Sequence, residues 1–544
     1  MITEERPASQ ASEIADLRDW LSRVEAMGDL RRITREVDPV EEMSAITYMV
    51  GRRIGSPALL FENIKGYPKH WRSLFNLLGS SNKRIALTLG IDPNLPVMEM
   101  IVEARQRLSR RLPPVEIDPR GAPVAEVVLQ GSDIDLTKMP APKHWPLDGG
   151  GQPGQDIGRY IGTADAVLTR DPDTGIINIG TYRMMVQGKD EVGLYLSPGK
   201  HARLDITRAW EQGQGIDVAA CWGVDPLFMI VGAMGFPKNV SEYEFAGGIR
   251  GKPIEVIQGL TTNLVVPARA EVVMEGRIEY KATRQEGPFG EFTGYYGRPE
   301  GTCPLVKVTA IRMRPDPIIT NALMSDWPSC EQNGFFAIAR SARIWDDLDK
   351  LGVPGIKAVY IHPAAAGGFG AVIVSLEQRY AGHAAQVAAL AAQVPGGAYY
   401  TKWIITVDED VDPSDWDQVF WAMTTRCDPE KDIDILRQTW STWLDPTKNP
   451  PEERPWGSKA LVNACREHKY LPIFSQRTVL TRTMYNQVKA RWDELGLGDL
   501  GEPPRLPAFQ EDMRLPANPE ITDLHQPSAL RNALDHPPSD APSM

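Results

Sequence analysis

Between about residues 125 and 313 the apolar residues fall into short β-branched runs divided by turn residues, and helix-spaced patterns return on both sides. A β-rich middle and its mixed flanks bury different kinds of face, and 544 residues exceed what one core usually serves. The expected fold is therefore a multidomain α+β and α/β chain. Its parts would be an N-terminal α/β domain over 1–120, a central β domain (a barrel or a sandwich) over 121–320, a C-terminal α/β domain over 321–500 and a proline-rich extended tail over 501–544. The tail holds nine prolines in 44 residues and little apolar periodicity, which suits a segment wrapped on a neighbouring subunit.

Within these parts, Ile14, Leu17, Leu21, Val24 and Leu30 recur at near-helical spacing, broken at Gly28. Residues 58–61 and 85–89 read as strands and 97–108 as a helix. In the middle, 162–170 and 176–186 read as a hairpin across Asp171-Pro172-Asp173-Thr174-Gly175, with further strands at 219–224, 270–278 and 305–313. From about Ile318 the alternation is βαβ-like. A strand at 357–361 precedes a glycine-rich βα loop at 367–370, an apolar run at 371–376 and an alanine-rich helix at 381–394. A strand at 402–407 and a helix at 416–423, opened by Asp412-Pro413-Ser414-Asp415, complete this part.

Composition removes several function classes. Hydrophobic residues make up 42% of the chain, enough for sizeable cores. With 59 basic against 71 acidic residues, a net charge of −12 and no Lys/Arg tract, the chain lacks the basic stripe of a nucleic-acid or anionic-membrane binder. Its acidic start, Met1-Ile2-Thr3-Glu4-Glu5-Arg6, has no apolar h-region of a secretory signal. No apolar run approaches the roughly 18 residues of a spanning helix, and 227–234 is the best but too short. Five scattered cysteines suit a reducing cytoplasm and give neither a disulfide framework nor a zinc site.

The stretch richest in chemistry is Arg284-Gln285-Glu286-Gly287-Pro288-Phe289-Gly290-Glu291-Phe292-Thr293-Gly294. Glutamates five apart face opposite sides of a regular strand, but Gly287-Pro288 and Gly290 interrupt one, so a turn can bring both into one cavity. Two carboxyls in different environments are a standard means of pairing a fixed anion with a proton donor near neutral pH. The plain alternative is a surface loop with solvated glutamates. Arg183, in the β-like run Asn178-Ile179-Gly180-Thr181-Tyr182-Arg183-Met184-Met185, needs an anionic partner if buried; otherwise it snorkels from an edge strand. Asn178 and Arg183 lie an odd number apart, so serving one site requires a bulge, expected at Gly180.

Ser197-Pro198-Gly199-Lys200-His201 places an imidazole in a tight turn, and Ser241-Glu242-Tyr243-Glu244-Phe245-Ala246-Gly247 follows downstream. An Asn carbonyl, an imidazole and a carboxylate suit Mn2+ or Mg2+. The open spacing is no metal signature, and a lone His is ordinarily a surface or hydrogen-bonded residue. Gly367-Gly368-Phe369-Gly370 lacks the dinucleotide fingerprint. The acidic run 408–412 lacks the glycine and terminal Glu of a calcium loop and reads as negative charge at a helix N-terminus. Lys402 is either an edge lysine or an anion partner.

Taken together, these stretches resemble the UbiD family of reversible (de)carboxylases, which use prenylated FMN. The resemblance covers most of 12–500. It rests on Asn178-Ile179-Gly180-x-Tyr182-Arg183, then Glu242-x-x-Phe245-Ala246-Gly247, then Glu286-Gly287-Pro288-Phe289-Gly290-Glu291-x-Thr293-Gly294, with Lys402 ahead of Val407-Asp408-Glu409-Asp410. It implies that the central domain is a split β-barrel binding the flavin and that the C-terminal α/β domain oligomerises the chain into a homodimer or homohexamer. Asn178, His201 and Glu242 would hold Mn2+ or Mg2+ bridging to the cofactor phosphate, with K+ nearby. Thr181, Tyr182, Arg183, Ser197, Lys200 and Lys402 would line the cofactor. Arg183, Glu286 and Glu291 match the family's catalytic network. In it, Arg183 orients the substrate carboxylate, Glu286 holds Arg183, and Glu291 protonates the carbon that CO2 leaves, which requires a raised pKa.

The reaction implied is reversible non-oxidative decarboxylation of an aromatic, heteroaromatic or α,β-unsaturated acid through a covalent adduct on the prenylated flavin. Its setting would be the cytoplasm, with a flavin prenyltransferase supplying the cofactor and neither nucleic acid nor membrane as partner. Most contacts to the acid would come from loops of the middle and C-terminal domains. Two other readings stay open: a split-barrel oxidoreductase using ordinary FMN, suggested by the β-rich middle, and a non-catalytic subunit of a carboxylase complex, suggested by the acidic surface and the tail.

Overall fold

The helix Leu17–Ala26 opens the N-terminal part: Asp16 caps it by accepting from Asp19 N–H, and Leu17, Trp20, Leu21 and Val24 are its buried face. In the computed structural model, which describes residues 14–448, 456–471, 474, 475, 477–504, 506 and 509, this helix packs beside a four-stranded sheet. The expected tail over 501–544 lies almost wholly outside the described residues. After Gly28, whose φ of 73° suits a residue without Cβ, strand Leu30–Ile33 pairs in parallel with Ala58–Phe61. Arg72–Phe75 follows, and the fourth strand is Ile318–Asn321, pairing in parallel with Arg72–Phe75. The segment expected to open the C-terminal βαβ pattern thus returns to the N-terminal sheet.

Residues 85–89, expected as a strand, close the helix Asn82–Leu89 instead. Ser81 Oγ accepts from Arg84 N–H (3.3 Å), and Gly90 ends the helix in the left-handed region. Ile85 and Leu89, four apart, share its buried face, so both the alternating and the helical period were present and the caps decided between them. The helix Val97–Leu108 stands where expected.

The central sheet has nine strands, antiparallel throughout. Gly301–Met313 is its spine, pairing with Val272–Ile278, Thr283–Glu286, Glu191–Leu194 and Val127–Gln130. The expected hairpin is half present: Asp165–Arg170 pairs with Ile177–Gly180. The second arm, however, breaks, and Met184–Val186 pairs with Glu191–Leu194. In the order of strands, Ile177–Gly180 and Met184–Val186 are the two ends of a seven-strand path. Gly180 and Met184 are four residues apart, so those ends lie within about 14 Å of each other. The sheet is therefore curled into a barrel left open along one seam. Thr181, Tyr182 and Arg183 cross that seam, which replaces the bulge expected at Gly180.

The C-terminal sheet runs Ile356–Ile361, Ala371–Leu376, Trp403–Asp408, Trp456–Ala464, Ile433–Trp440. Its first two strands are antiparallel, so the glycine-rich loop joins strand to strand, not strand to helix as expected. Asp415 caps the helix Trp416–Arg426. The acidic run is divided: Asp412 stands at that N-terminus, its carbonyl accepting from Asp415 N–H (3.1 Å), whereas Asp408 and Asp410 each pair at 2.7 Å with Arg426, in the helix's last turn. Among the described residues no helix is long and apolar enough to cross a membrane. All five cysteines are free thiols.

Candidate active site

The seam is held by Asp165, whose side chain accepts from Tyr182 N–H (3.0 Å) and whose carbonyl accepts from Thr181 Oγ1 (3.3 Å). Arg183 follows and turns inward, 9% exposed. Its Nε donates to Glu286 Oε1 (2.7 Å), its Nη2 to Glu286 Oε2 (3.1 Å) and its Nη1 to Glu291 Oε1. The guanidinium carbon lies 4.0 Å from the Tyr195 ring centroid and 4.8 Å from that of Phe289. Both glutamates are buried. The forked pair to Glu286 fixes the plane of the guanidinium, and the remaining nitrogen meets Glu291.

Two glycines bring the glutamates to one guanidinium. Glu286 ends the strand Thr283–Glu286, and Gly287 turns the chain with φ 88°. At Gly290 a Cβ would lie 2.0 Å from Trp145 Cδ1, so the loop can approach the indole only without a side chain. Gly290 N–H donates to Asp148 Oδ1 (3.0 Å), and Glu291 N–H donates to Tyr295 O (2.9 Å).

The environments of these acids differ in a way useful for chemistry. Burial pushes Glu291 up to about 7 against the opposing pull of Arg183. Asp148 is likewise pushed up to about 7 by burial. Burial also works against the Arg183 charge, but Glu286 and Glu291 more than offset it and hold that pKa well above its ordinary value. The site thus combines a permanent cation with a carboxyl that gains and loses a proton near neutrality.

These side chains open onto a cavity of about 980 Å³, its open mouth included. Thr181, Tyr182, Arg183, Ser197, Lys200 and Glu291 all line it. Lys200 has no carboxylate partner among the described residues; its ammonium lies 4.6 Å from the Tyr399 ring centroid. Desolvation, helped by the charge of Arg340, pushes Lys200 down to about 8. A cation left in this state favours an anionic ligand.

Asn178, His201 and Glu242 stand outside the cavity lining. Asn178 Nδ2 donates to Thr169 Oγ1 (3.3 Å), His201 begins the helix His201–Glu211, and Glu242 begins the helix Glu242–Arg250. Glu242 accepts from Ile179 N–H (2.7 Å), next to Asn178 in sequence, and burial pushes its carboxyl up to about 8. Lys402 is not brought to the cavity: it lies in a separate polar cleft, donating to Asp445 Oδ1 (2.9 Å) and Thr447 Oγ1 (3.3 Å).

Sequence reasoning missed the aromatic wall formed by Phe292, Phe335, Phe336, Phe369 and Tyr399, with Leu444. Phe369 comes from the glycine-rich loop, pinned by Gln332 Nε2 to Gly367 O (2.9 Å) and by Arg340 to Gly368 O (3.0 Å). Gly367 and Gly368, both with positive φ, were the available signal, since a βα loop without a nucleotide fingerprint had no stated use for them. Glu331 was also missed. It lines the cavity and accepts from the N–H groups of Leu77 (3.0 Å), Leu78 (2.6 Å) and Gly79 (3.1 Å), tying the N-terminal part to the site.

Three family models match consecutive parts of the chain. They describe the 3-octaprenyl-4-hydroxybenzoate carboxy-lyase N-terminal domain over 21–104, its Rift-related domain over 115–326 and its C-terminal domain over 334–464, all under the UbiD name. Among solved structures, the vanillic acid decarboxylase of Sedimentibacter hydroxybenzoicus in its closed form is 31% identical, with TM-score 0.78, covering 90% of this chain and 99% of that one. The UbiD-class enzyme HmfF of Pelotomaculum thermopropionicum, solved with FMN, is 28% identical, with TM-score 0.73, covering 85% and 97%. The apo 3,4-dihydroxybenzoic acid decarboxylase of Klebsiella pneumoniae is 27% identical, with TM-score 0.72, covering 87% and 99%.

Proposed function

Because this chain belongs to the UbiD family of carboxy-lyases, we propose that it releases CO2 from an aromatic carboxylic acid with prenylated FMN as cofactor. The observation that carries the reading is Arg183 held between Glu286 and Glu291 on the wall of a largely apolar cavity. The residues present fit a flavin. Thr181 and Gly232 form a close wall, where a Cβ on Gly232 would lie 3.3 Å from Thr181 Oγ1, and Lys200 awaits an anionic group. When bound, prenylated FMN supplies the electron sink that no side chain provides.

The protein's own part in the reaction follows from its geometry. The acid's carboxylate docks on Arg183 by charge-assisted hydrogen bonds, taking the place of Glu291 on Nη1. Glu286 keeps the guanidinium in plane. Phe292, Tyr399 and Leu444 line the cavity with largely apolar surface, so that a charged carboxylate is less favoured there than neutral CO2. After CO2 departs, Glu291 delivers its proton to the carbon and is reprotonated from solvent.

Asn178, His201 and Glu242 are proposed to hold Mn2+ or Mg2+ against the cofactor phosphate. Burial keeps the His201 imidazole below its ordinary pKa and so neutral, as ligation needs, and Glu242 is a buried carboxyl that a cation would ionise. Among the described residues no three His, Cys, Asp or Glu side chains gather closely enough to hold a metal alone, so Asn178 and phosphate oxygens would complete the set. K+ nearby, supply of the cofactor by a flavin prenyltransferase and a cytoplasmic setting belong to the same proposal through the family. Lys402, paired to Asp445, would reach the cofactor only by leaving that partner.

Self-association is part of the proposal too. Trp403, Trp440 and Trp456 are 49%, 42% and 56% exposed, and Ile435 lies 48% exposed on the edge strand of the C-terminal sheet. Among the described residues the outer side of the edge strand Ile433–Trp440 is unpaired, and the exposed apolar surface on it and on the two strands beside it calls for a partner. Light scattering is expected to show a dimer or hexamer, and Trp456→Glu to shift it towards monomer; a monomeric parent would refute this part.

Two further outcomes follow. Co-expression with a flavin prenyltransferase, anaerobic purification and a screen of aromatic acids should show a modified-flavin absorbance spectrum and CO2 release. A well-folded protein that binds no flavin would overturn the reading. Lys200→Gln is expected to weaken flavin or substrate binding by about tenfold or more, the worth of one charge-assisted hydrogen bond; unchanged dissociation constants would remove Lys200 from the site.

A further inference from the structure

Glu286 is shared by more groups than Arg183. Tyr160, fully buried, donates its hydroxyl to Glu286 Oε1 at 2.9 Å. A second guanidinium, Arg298, sits with Nη2 at 3.6 Å from Glu286 Oε2 and at 3.4 Å from the backbone carbonyl of Glu286, to which it donates. Arg298 is 8% exposed, and its guanidinium carbon lies 4.7 Å from the Tyr195 ring, which also takes Arg183 at 4.0 Å. Its neighbours leave it little room: a Cβ on Gly301 would come within 2.8 Å of Arg298 Nη2. One residue before it, a Cβ on Gly297 would lie 2.9 Å from Glu291 Cγ, so a single turn packs on both glutamates.

We propose that Arg298 is a positioning residue for proton transfer: by sharing Glu286 with Arg183 it holds Glu286 as the fixed anion and leaves Glu291 as the member of the pair that exchanges a proton. The inference rests on the decarboxylase reading and deepens it. With Arg183 alone, one buried cation would face two carboxyls, and burial would force a proton onto one of them. With Arg298 the deprotonated cluster is neutral, so Glu291 can release its proton as well as hold it. The donors are unequally divided. Glu286 accepts from Arg183 Nε and Nη2 and from Tyr160, with the Arg298 guanidinium as a further ion-pair partner at 3.6 Å, whereas Glu291 has Arg183 Nη1 as its side-chain donor. The other titratable groups facing the pair are Tyr195, Tyr399, Cys303 and Asp148, with Glu331 and Lys200 on the cavity wall. Burial raises the tyrosines and the thiol, so they stay neutral near pH 7; Asp148 and Glu331 are both also pushed to about 7, so the Glu291 titration is told apart from theirs by the Asp148→Asn control and the Glu291→Gln assignment.

The test compares Arg298→Gln, Arg298→Lys and Asp148→Asn in the full chain. Two readouts are used: the pH profile of CO2 release by flavin-loaded protein, and an infrared titration of the carboxyl band in flavin-free protein, assigned with Glu291→Gln. Removing a nearby positive charge disfavours the Glu291 anion, so Arg298→Gln should move the Glu291 titration upward by about one pH unit in both readouts. Arg298→Lys should bring it back. A packing role would lower activity in Arg298→Gln without moving either titration, and that result overturns the proposal. If flavin-loaded parent releases no CO2 while the infrared shift is present, the functional reading fails and the charge assignment stands.

Discussion

Glu291→Gln is expected to bind flavin as the parent does and to lose CO2 release by about 10²–10⁴-fold, the usual worth of a positioned proton donor. The substitution keeps size and polarity but removes the exchangeable carboxyl proton. It also leaves Glu286 in place to hold Arg183. The pH dependence gives the sign. Burial raises Glu291 to about 7, so it carries its proton below neutrality and loses it above. Activity that needs the protonated form should therefore fall as pH rises through about 7. Glu291→Asp should be intermediate, since the carboxyl is retained but withdrawn from the cavity. CO2 measured per bound flavin, at matched loading, decides the matter. Parent-like turnover in Glu291→Gln would remove Glu291 as donor.

Arg183→Met is expected to cost both the reaction and the fold. Glu286, fully buried, would lose its forked partner, and stranding a buried charge typically costs about 3–5 kcal/mol. Arg183→Lys keeps a charge but not the planar fork. It should destabilise less and still lose at least about a hundredfold in kcat/KM, because misplacing a bound group by about 1 Å costs that much. Chemical denaturation and steady-state assays on both variants separate the two roles. An Arg183→Met protein as stable as the parent would mean that the Glu286 charge is balanced elsewhere, with Arg298 the nearest candidate.

The sequence showed the chemistry of the site more clearly than its geometry. The two glycines around Pro288 announced a turn between Glu286 and Glu291, and that turn is present. Arg183 in an apolar run left two readings, a buried arginine with an anionic partner or one snorkelling from an edge strand, and it is buried with two carboxylates. The seam, by contrast, was not readable. A hairpin arm and two separate strands share the same β-branched composition, and only strand order shows that Gly180 and Met184 belong to opposite ends of the sheet. Residues 85–89 satisfied both periods, and the deciding Ser81 and Gly90 lay just outside the run. Arg298 and Tyr160 went unnoticed for a related reason. Each reaches Glu286 from a distant or irregular part of the chain, with no spacing to mark it. Lys402 was placed by resemblance, and its pairing with Asp445 was invisible without the fold.

The most direct measurement is the fate of the solvent proton. Flavin-loaded protein converting its acid in D2O should place one deuterium on the carbon that carried the carboxylate, and Glu291→Gln should abolish that incorporation together with turnover. Deuterium placed at that carbon at an unchanged rate by Glu291→Gln, or a product carrying none from the parent, would contradict the account.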